Sequence, residues 1–317
     1  MTRAEELYRS MLRIRRVEEA IAARYVAQDM RCPVHLSIGQ EAVAAGICAA
    51  LNRSDGVFSG HRSHAHYLAK GGNLVAMIAE IYGLAGGCCN GVGGSMHMID
   101  LDAGFLGAVP LVGATVPVAV GAAWAARLRG EDRVIAVFFG DGTFEEGVIH
   151  ESVNFAVLHR LPVLFVCENN AYSCYTRIAD RQPNRPIHAI AAAHGCVSAA
   201  LDGNDAEAVF EAARVAVADL RNGGAPAFLE CATYRWLEHC GPNLDDNLGY
   251  RPAGELQQWQ SACPLVKLVA KLSATATGRS FLDAAEREIA KEVSAAFSLA
   301  LESGPPPSDD LASYLYG

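Results

Sequence analysis

Apolar residues change their spacing along the chain, and these changes predict alternating helices and strands. From residue 4 to residue 28 they recur at every third or fourth position, which indicates an amphipathic helix. Residues 133–139, which are apolar after Arg133, and residues 162–167 form continuous runs, as expected of strands that are buried on both faces. Helical spacing returns between them, over residues 145–159. Strand, helix and strand in this order predict a βαβ unit of a parallel sheet.

The alternation continues toward the C-terminus. A helix is predicted over residues 204–222 and a strand over residues 227–233, so we expect an α/β protein with a doubly wound parallel sheet. Gly, Pro and Asp fill residues 241–253, which predicts an exposed loop. A last helix is predicted near residues 282–302, before a proline-rich break at 304–307.

We expect residues 1–317 to form one large domain. Its parts would be the N-terminal helix, a sheet core over about residues 54–235 and a helical tail over about residues 253–317. The length would suit two average domains, but a large α/β unit can use a chain of this size alone.

The least regular part of the sequence is residues 54–115, which are rich in Gly, His and Ser. Such a stretch predicts long ordered loops, which usually carry function. Residues 103–126, which overlap it, are 24 residues without a charge and long enough to span a bilayer. Pro110, Pro117 and several glycines interrupt this segment. A glycine-rich loop followed by a buried helix is therefore the better interpretation.

Composition limits the class of protein. Hydrophobic residues make up 51% of the chain, which is enough to bury a sizeable core and excludes disorder of the whole. The net charge of −9 disfavours binding to nucleic acid or to an anionic membrane. The ten cysteines form no Cys-x-x-Cys pair, which predicts reduced, buried thiols. The first residues lack the apolar stretch of a signal peptide, so we expect a cytoplasmic protein.

Two polar clusters follow the two strands of the predicted βαβ unit. Gly140-Asp141-Gly142 ends the first strand and Asn169-Asn170 ends the second. Because ligands of parallel sheets bind at the carboxyl ends of the strands, we expect both clusters at one site. Carboxylate and carboxamide oxygens suit Mg²⁺, and glycines let a phosphate approach the backbone. The pair predicts a magnesium–diphosphate anchor, although each cluster alone is also common as an ordinary turn.

The spacing of these clusters, 29 positions from Asp141 to Asn170, resembles the thiamine-diphosphate signature. Other motifs of one family occur in the family's order: His35-Leu-Ser-Ile-Gly-Gln-Glu-Ala42, Gly93-Gly-Ser-Met-His97, Glu168-Asn-Asn170-Ala-Tyr172 and Thr233-Tyr-Arg235. Over almost its whole length the chain resembles the alpha subunit of the decarboxylating (dehydrogenase) component of 2-oxo acid and acetoin dehydrogenase complexes.

The resemblance implies a thiamine-diphosphate-binding fold of the diphosphate-binding type, and a set of site residues. Asp141, Asn170 and the Tyr172 carbonyl would bind Mg²⁺. The other contacts to thiamine diphosphate would come from His61, Arg62, Val112, Gly140, Gly142 and Thr143.

Three histidines are implied to surround the reacting centre as proton-transfer groups, because imidazole titrates near neutral pH. They are His35, His97 and His239. We interpret the others as structural: His64, His66, His150, His159, His188 and His194.

The resemblance also implies an oxidoreductase that works with partners. Its substrate would be pyruvate, a branched-chain 2-oxo acid or acetoin. The carboxylate that activates thiamine diphosphate would come from a beta subunit in an α₂β₂ assembly, and the acceptor would be a lipoyl-bearing acyltransferase. A biosynthetic decarboxylase or carboligase without a lipoyl partner, and a non-catalytic scaffold subunit, stay open as alternatives.

Four residues depart from the pattern common in pyruvate-type alpha subunits, namely His61, Pro110, Glu238 and Cys240. They leave the substrate and the acceptor open. A dinucleotide-binding protein is disfavoured because Gly91-Val-Gly-Gly does not follow a predicted strand. Half of a split transketolase would share the two polar clusters but not the surrounding motifs.

Overall fold

A six-stranded parallel sheet forms the centre of the fold, which the computed structural model describes for residues 1–307. The strands along the chain are β1 (Gly56–Ser59), β2 (Phe105–Ala108), β3 (Ile135–Gly140), β4 (Val163–Asn169), β5 (Tyr172–Ser173), β6 (Thr176–Arg177), β7 (Val197–Asp202) and β8 (Ala227–Ala232). The sheet has the order β2-β1-β3-β4-β8-β7, while β5 and β6 form a short antiparallel hairpin.

Helices cover both faces of this sheet. They are α1 (Arg3–Tyr25), α2 (Glu41–Ala50), α3 (His64–Ala69), α4 (Leu74–Ile81), α5 (Thr115–Leu128), α6 (Gly147–Leu158), α7 (Ile178–Arg181), α8 (Ile187–Ala193), α9 (Ala206–Arg221), α10 (Glu255–Ser261), α11 (Pro264–Leu272) and α12 (Ala276–Leu301).

The side chains of the central strands divide between two hydrophobic cores. In β3, Ala136 and Phe138 face a core that includes α1, α2, α4, α9 and α12, whereas Val137 and Phe139 face one that includes α5, α6 and α8. Successive residues of a strand point to opposite faces, so a strand buried on both faces needs apolar residues throughout. The prediction of an α/β protein with a doubly wound parallel sheet is confirmed.

The expectation of loops over residues 54–115 was wrong in part. This stretch contains the strands β1 and β2 and the helices α3 and α4. The two strands are four residues long, and α3 has six residues, so none is long enough for a period to be recognised. The strand β7 was also missed, because its residues are partly exposed and do not form an apolar run.

The uncharged segment over residues 103–126 belongs to the sheet and its covering helix. It contains β2, a loop and most of α5, whose buried face packs on β1 and β3. No helix among the described residues combines the length and apolarity needed to cross a membrane.

Both terminal helices differ in extent from their predicted bounds. The first helix ends at Tyr25 rather than at residue 28, and the last begins at Ala276 rather than near residue 282. The two helices lie side by side and are joined by ion pairs such as Arg13–Glu292. The end of the predicted tail, residues 308–317, lies outside the described residues.

The loop over residues 241–253 was expected to be exposed, but part of it is buried. Asp245 and Arg251 are buried, and the Asp245 carboxylate lies 3.0 Å from both the Arg235 and the Arg251 guanidinium groups. Arg235 and Arg251 also donate to the Leu237 carbonyl, at 2.6 Å and 3.2 Å. The ion cluster therefore anchors the loop that leads to His239.

We expect Asp245→Ala to lower the free energy of unfolding by about 3 kcal/mol, because it leaves two buried guanidinium groups without their shared anion. Urea denaturation measures the difference. The exposed neighbour Asp246 supplies the control, and Asp246→Ala should change stability by no more than about 0.5 kcal/mol. Equal stability of the two variants would show that the buried ion cluster does not stabilise the fold.

Candidate active site

A cavity lies at the carboxyl ends of β1, β3 and β4, where parallel sheets bind ligands. Its walls come from the strand ends, the loop before α5 and the loop after β8. The predicted site residues that line it are His61, Arg62, Val112, Gly140, Asp141, Gly142, Thr143, Asn170, Tyr172 and His239.

Asp141 and Asn170 are brought together by the register of β3 and β4. Gly140 is paired with Glu168, so the residues that follow both strands leave the sheet side by side. Burial raises the pKa of the Asp141 carboxyl, while the Arg181 guanidinium and the Asn170 backbone N–H oppose this shift. A buried carboxylate that needs positive partners is the kind of group that a cation stabilises.

Asn170 and Tyr172 complete a set of oxygen donors at this position. The Asn170 Oδ1 accepts a hydrogen bond from the Tyr172 N–H at 3.2 Å, and its Nδ2 is 3.4 Å from the Gln40 Oε1. Ala171 between them has φ = 67°, a left-handed conformation that turns the chain sharply after β4. Carboxylate, carboxamide and carbonyl oxygens are hard ligands, so the donor set fits Mg²⁺.

Ser173 approaches the backbone of Gly142, next to Asp141, so closely that residue 142 has no room for a side chain. A Cβ atom at Gly142 would lie 2.7 Å from the Ser173 Oγ, closer than atoms can approach. The nearby Arg62 guanidinium is buried and donates to the Leu36 carbonyl at 2.6 Å and the His239 carbonyl at 3.1 Å. Burial, with the charge of Arg235, lowers the pKa of Arg62 to about 10, so the side chain still carries its charge at neutral pH.

Three imidazoles form a triangle at the edge of the cavity. The ring centroids are separated by 4.7 Å for His35–His61, 5.1 Å for His35–His239 and 5.2 Å for His61–His239. Burial and the Arg62 charge lower the pKa of His35 to about 2, of His61 to about 4 and of His239 to about 3. All three rings are therefore neutral at pH 7.

Comparisons with known proteins show which family the chain belongs to. The family model described as "Dehydrogenase E1 component" matches residues 9–308. The chain belongs to the dehydrogenase E1 component family. The resemblance inferred from the motifs is confirmed, and so is the prediction of an enzyme of the oxidoreductase class.

Relatives of this E1 family member are similar to it over most of its length. The alpha subunit of acetoin:2,6-dichlorophenolindophenol oxidoreductase from Cupriavidus necator is 39% identical, covering 98% of this chain and 93% of its own. The subunit of the same name from Bacillus subtilis is 42% identical over 74% of this chain and 70% of its own. The alpha subunit of the pyruvate dehydrogenase E1 component from Rhizobium meliloti is 39% identical over 84% of this chain and 76% of its own.

His97 is the one predicted proton-transfer histidine that the structure places outside both the cavity lining and the imidazole triangle. Its Nδ1 lies 2.7 Å from the Gly93 carbonyl, and its loop is held by the Glu80 carboxylate. Glu80 is fully buried and accepts four backbone N–H groups at 2.7–2.9 Å, from Cys89, Gly91, Gly93 and Gly94.

Sequence reasoning missed several residues that line the cavity or contact the predicted magnesium ligands. His66, interpreted as structural, lines the cavity with Nδ1 2.8 Å from the Ser59 hydroxyl and Nε2 3.2 Å from Glu168. Gln40 and Arg181 also contact the predicted magnesium ligands. Of the missed residues, only Gln40 and Glu168 lie within a motif that the sequence analysis recognised. Membership of those motifs could have marked both as candidate site residues. His64, by contrast, lies buried between Glu18 and Ser95, consistent with a structural role.

The lowered histidine pKa values predict how stability depends on pH. Below about pH 6.5 the unfolded chain takes up protons on these histidines that the folded chain does not bind. The free energy of unfolding is therefore expected to fall as the pH decreases from about 6.5 toward 4, and this contribution is constant above about 6.5.

Urea denaturation of the wild type and of His35→Gln between about pH 7 and pH 5 tests this expectation. The variant should show the smaller decrease, because it lacks the histidine whose pKa is lowered most. Parallel curves for the two proteins would mean that His35 is not held neutral by the fold.

Proposed function

We propose that this chain is the alpha subunit of a thiamine-diphosphate- and Mg²⁺-dependent dehydrogenase that acts on acetoin or a 2-oxo acid. The observation that supports this most is the meeting of Asp141, Asn170 and Arg62 in one cavity at the carboxyl edge of the sheet. The names of the relatives support the substrate class, since two act on acetoin and one belongs to pyruvate dehydrogenase.

In this proposal the chain's residues bind and orient the cofactor. Asp141, Asn170 and the Tyr172 carbonyl would hold Mg²⁺, while the backbone at Gly142 and Thr143 and the Arg62 guanidinium would bind the diphosphate. His61, Val112 and Gly140, which also line the cavity, would contact the cofactor. When bound, the cofactor supplies a carbon nucleophile for the substrate carbonyl.

The histidines would handle protons next to that carbonyl. The neutral rings of His35 and His239 can accept the hydroxyl proton of acetoin, or hydrogen-bond a substrate carboxylate once protonated. Burial keeps both rings unprotonated at neutral pH, so that their lone pairs can accept a hydrogen bond from the substrate. A role for His97 requires that its loop contact the substrate or a second subunit.

A beta subunit is proposed to complete the site. The relatives are named as alpha subunits, and Leu111 and Val112 on the cavity wall are 71% and 52% exposed. Large apolar side chains exposed at a functional cavity are typical of a surface that a partner covers. We propose an α₂β₂ assembly in the cytoplasm, in which the beta subunit supplies a carboxylate to the cofactor and a lipoyl-bearing acyltransferase accepts the acyl group.

Turnover measurements test this function. The chain, its beta subunit and their mixture are assayed with acetoin, pyruvate and branched-chain 2-oxo acids, using dichlorophenolindophenol as the electron acceptor. We expect dye reduction by the mixture only, and only with thiamine diphosphate and Mg²⁺. Turnover by the chain alone would contradict the shared site, and a mixture inactive on every substrate would contradict the proposed function.

A further inference from the structure

The imidazole triangle has a second chemical capacity beyond proton transfer. His35, His61 and His239 belong to three separate segments: the loop after α1, the loop after β1 and the loop after β8. One ring nitrogen of each lies within 4.8 Å of the ring nitrogens of the other two. Three neutral nitrogen donors, brought close together from separate segments, have the composition of a three-histidine metal site.

The dimensions of the triangle match such a site. In a tetrahedral zinc site the ligating nitrogens lie about 2.0–2.1 Å from the metal, which places the centres of the imidazole rings about 5 Å apart. The three observed centroid separations are 4.7, 5.1 and 5.2 Å. The ring planes are inclined to one another by 57–83°, so that no two of the rings stack.

The hydrogen bonding of His35 points to a ligand independently of these distances. His35 is 7% exposed, and its Nδ1 has no hydrogen-bond partner among the described residues. A buried polar atom without a partner costs about 1–3 kcal/mol, and a native structure that keeps one usually has a functional reason. A metal ion at the centre of the triangle would use a nitrogen lone pair of each ring.

The donor atoms determine which ion would bind at the triangle, and the surrounding charge determines its fourth ligand. Imidazole donors favour Zn²⁺, Co²⁺, Ni²⁺ and Cu²⁺ over Mg²⁺, so this site would not compete with Asp141 for magnesium. The buried Arg62 guanidinium opposes a second positive charge nearby. An anionic fourth ligand, such as hydroxide or a carboxylate, would reduce that repulsion.

We propose that His35, His61 and His239 form a binding site for a divalent transition metal, with Zn²⁺ as the natural ion, and that the bound ion inhibits the enzyme. Inhibition follows because His61 and His239 line the cavity and the metal would use the lone pairs needed for proton transfer. Metal binding does not rest on the proposed function, since it is measured without turnover.

Titration of the full-length chain with Co²⁺, in excess Mg²⁺, tests the site. Four-coordinate Co²⁺ bound to nitrogen gives strong visible absorption, whereas thiolate ligands add a near-ultraviolet charge-transfer band. We expect one Co²⁺ per chain, visible absorption without the thiolate band, and displacement by Zn²⁺. His61→Gln should weaken binding by at least about 100-fold, since losing even an outer-shell partner costs 10–100-fold.

Two controls separate the triangle from other metal-binding groups. His150 and His194 form another close pair, with ring nitrogens 3.2 Å apart, so His150→Gln should leave Co²⁺ binding unchanged. A thiolate band would instead show that a cysteine binds the ion, as the cluster of Glu80, Cys88 and Cys89 could, and would overturn the proposal.

Thermal unfolding shows whether the His61→Gln variant is folded, so that lost metal binding is not confused with lost structure. Zn²⁺ should raise the Tm of the wild type and of His150→Gln, but not that of a folded His61→Gln. An equal increase in all three proteins would overturn the proposal.

In the complex of the alpha and beta subunits, Zn²⁺ should inhibit acetoin or 2-oxo acid turnover, and a chelator should reverse this inhibition. Full activity of the zinc-saturated complex would contradict the inhibition.

Discussion

Replacing Asp141 by Asn is expected to weaken the binding of thiamine diphosphate in the presence of Mg²⁺ by at least about 10³-fold. Losing a direct metal ligand costs more than the 10–100-fold measured for outer-shell partners, and the variant also removes the charge that balances the ion. The amide has almost the same volume as the carboxylate, so the change tests charge rather than packing. Calorimetric titration of the chain with and without its beta subunit measures the affinity.

Asp180 provides a matched control for this experiment. It is an exposed carboxylate on the α7 helix, close in sequence to Arg181, which pairs with Asp141. Asp180→Asn also removes one negative charge and should leave the affinity for the cofactor unchanged. If Asp141→Asn binds the cofactor as tightly as Asp180→Asn does, Asp141 is not a magnesium ligand.

Replacing His239 by Ala is expected to lower kcat by about 10²–10⁴-fold, the usual contribution of a general acid or base. The contact of Arg62 with residue 239 is made by the backbone carbonyl, so the substitution keeps it. Cofactor affinity should therefore change little. Steady-state kinetics of the α/β complex, with calorimetry for the cofactor, measure both effects.

His159→Gln is the control for this second experiment, because His159 caps α6 and lies outside the cavity lining. It should retain the kcat of the wild type. A His239→Ala variant that loses cofactor affinity in proportion to its activity would identify His239 as a binding residue rather than a proton-transfer group.

The sequence was most informative where long apolar runs end in polar residues. β3 and β4 are buried on both faces, and a continuous apolar run with a glycine or asparagine terminus is recognisable without any tertiary information. Their carboxyl ends lie at one edge of the sheet because parallel strands share a direction. For this reason the nearness of Asp141 and Asn170 followed from two short motifs.

Short and partly exposed elements could not be recognised in the same way. β1 and β2 have four residues each, and β7 lies at the sheet edge where side chains need not be apolar. Such strands are stabilised by pairing with neighbours that are distant in sequence, and no local pattern records that pairing. The burial of Asp245 was hidden for the same reason, since its two arginine partners lie on either side of a loop.

By itself, the sequence determined the fold class, the family and the nearness of Asp141 and Asn170, because these depend on local runs and fixed spacings. Only the tertiary structure decided which histidines meet. His35, His61 and His239 come from segments 26 and 178 residues apart, and they converge because three loops end at one edge of the sheet. His66 lines the cavity and His97 does not, a difference set by how α3 and the Glu80-anchored loop pack. Spacing along a chain predicts contacts within an element, whereas contacts between loops depend on the completed fold.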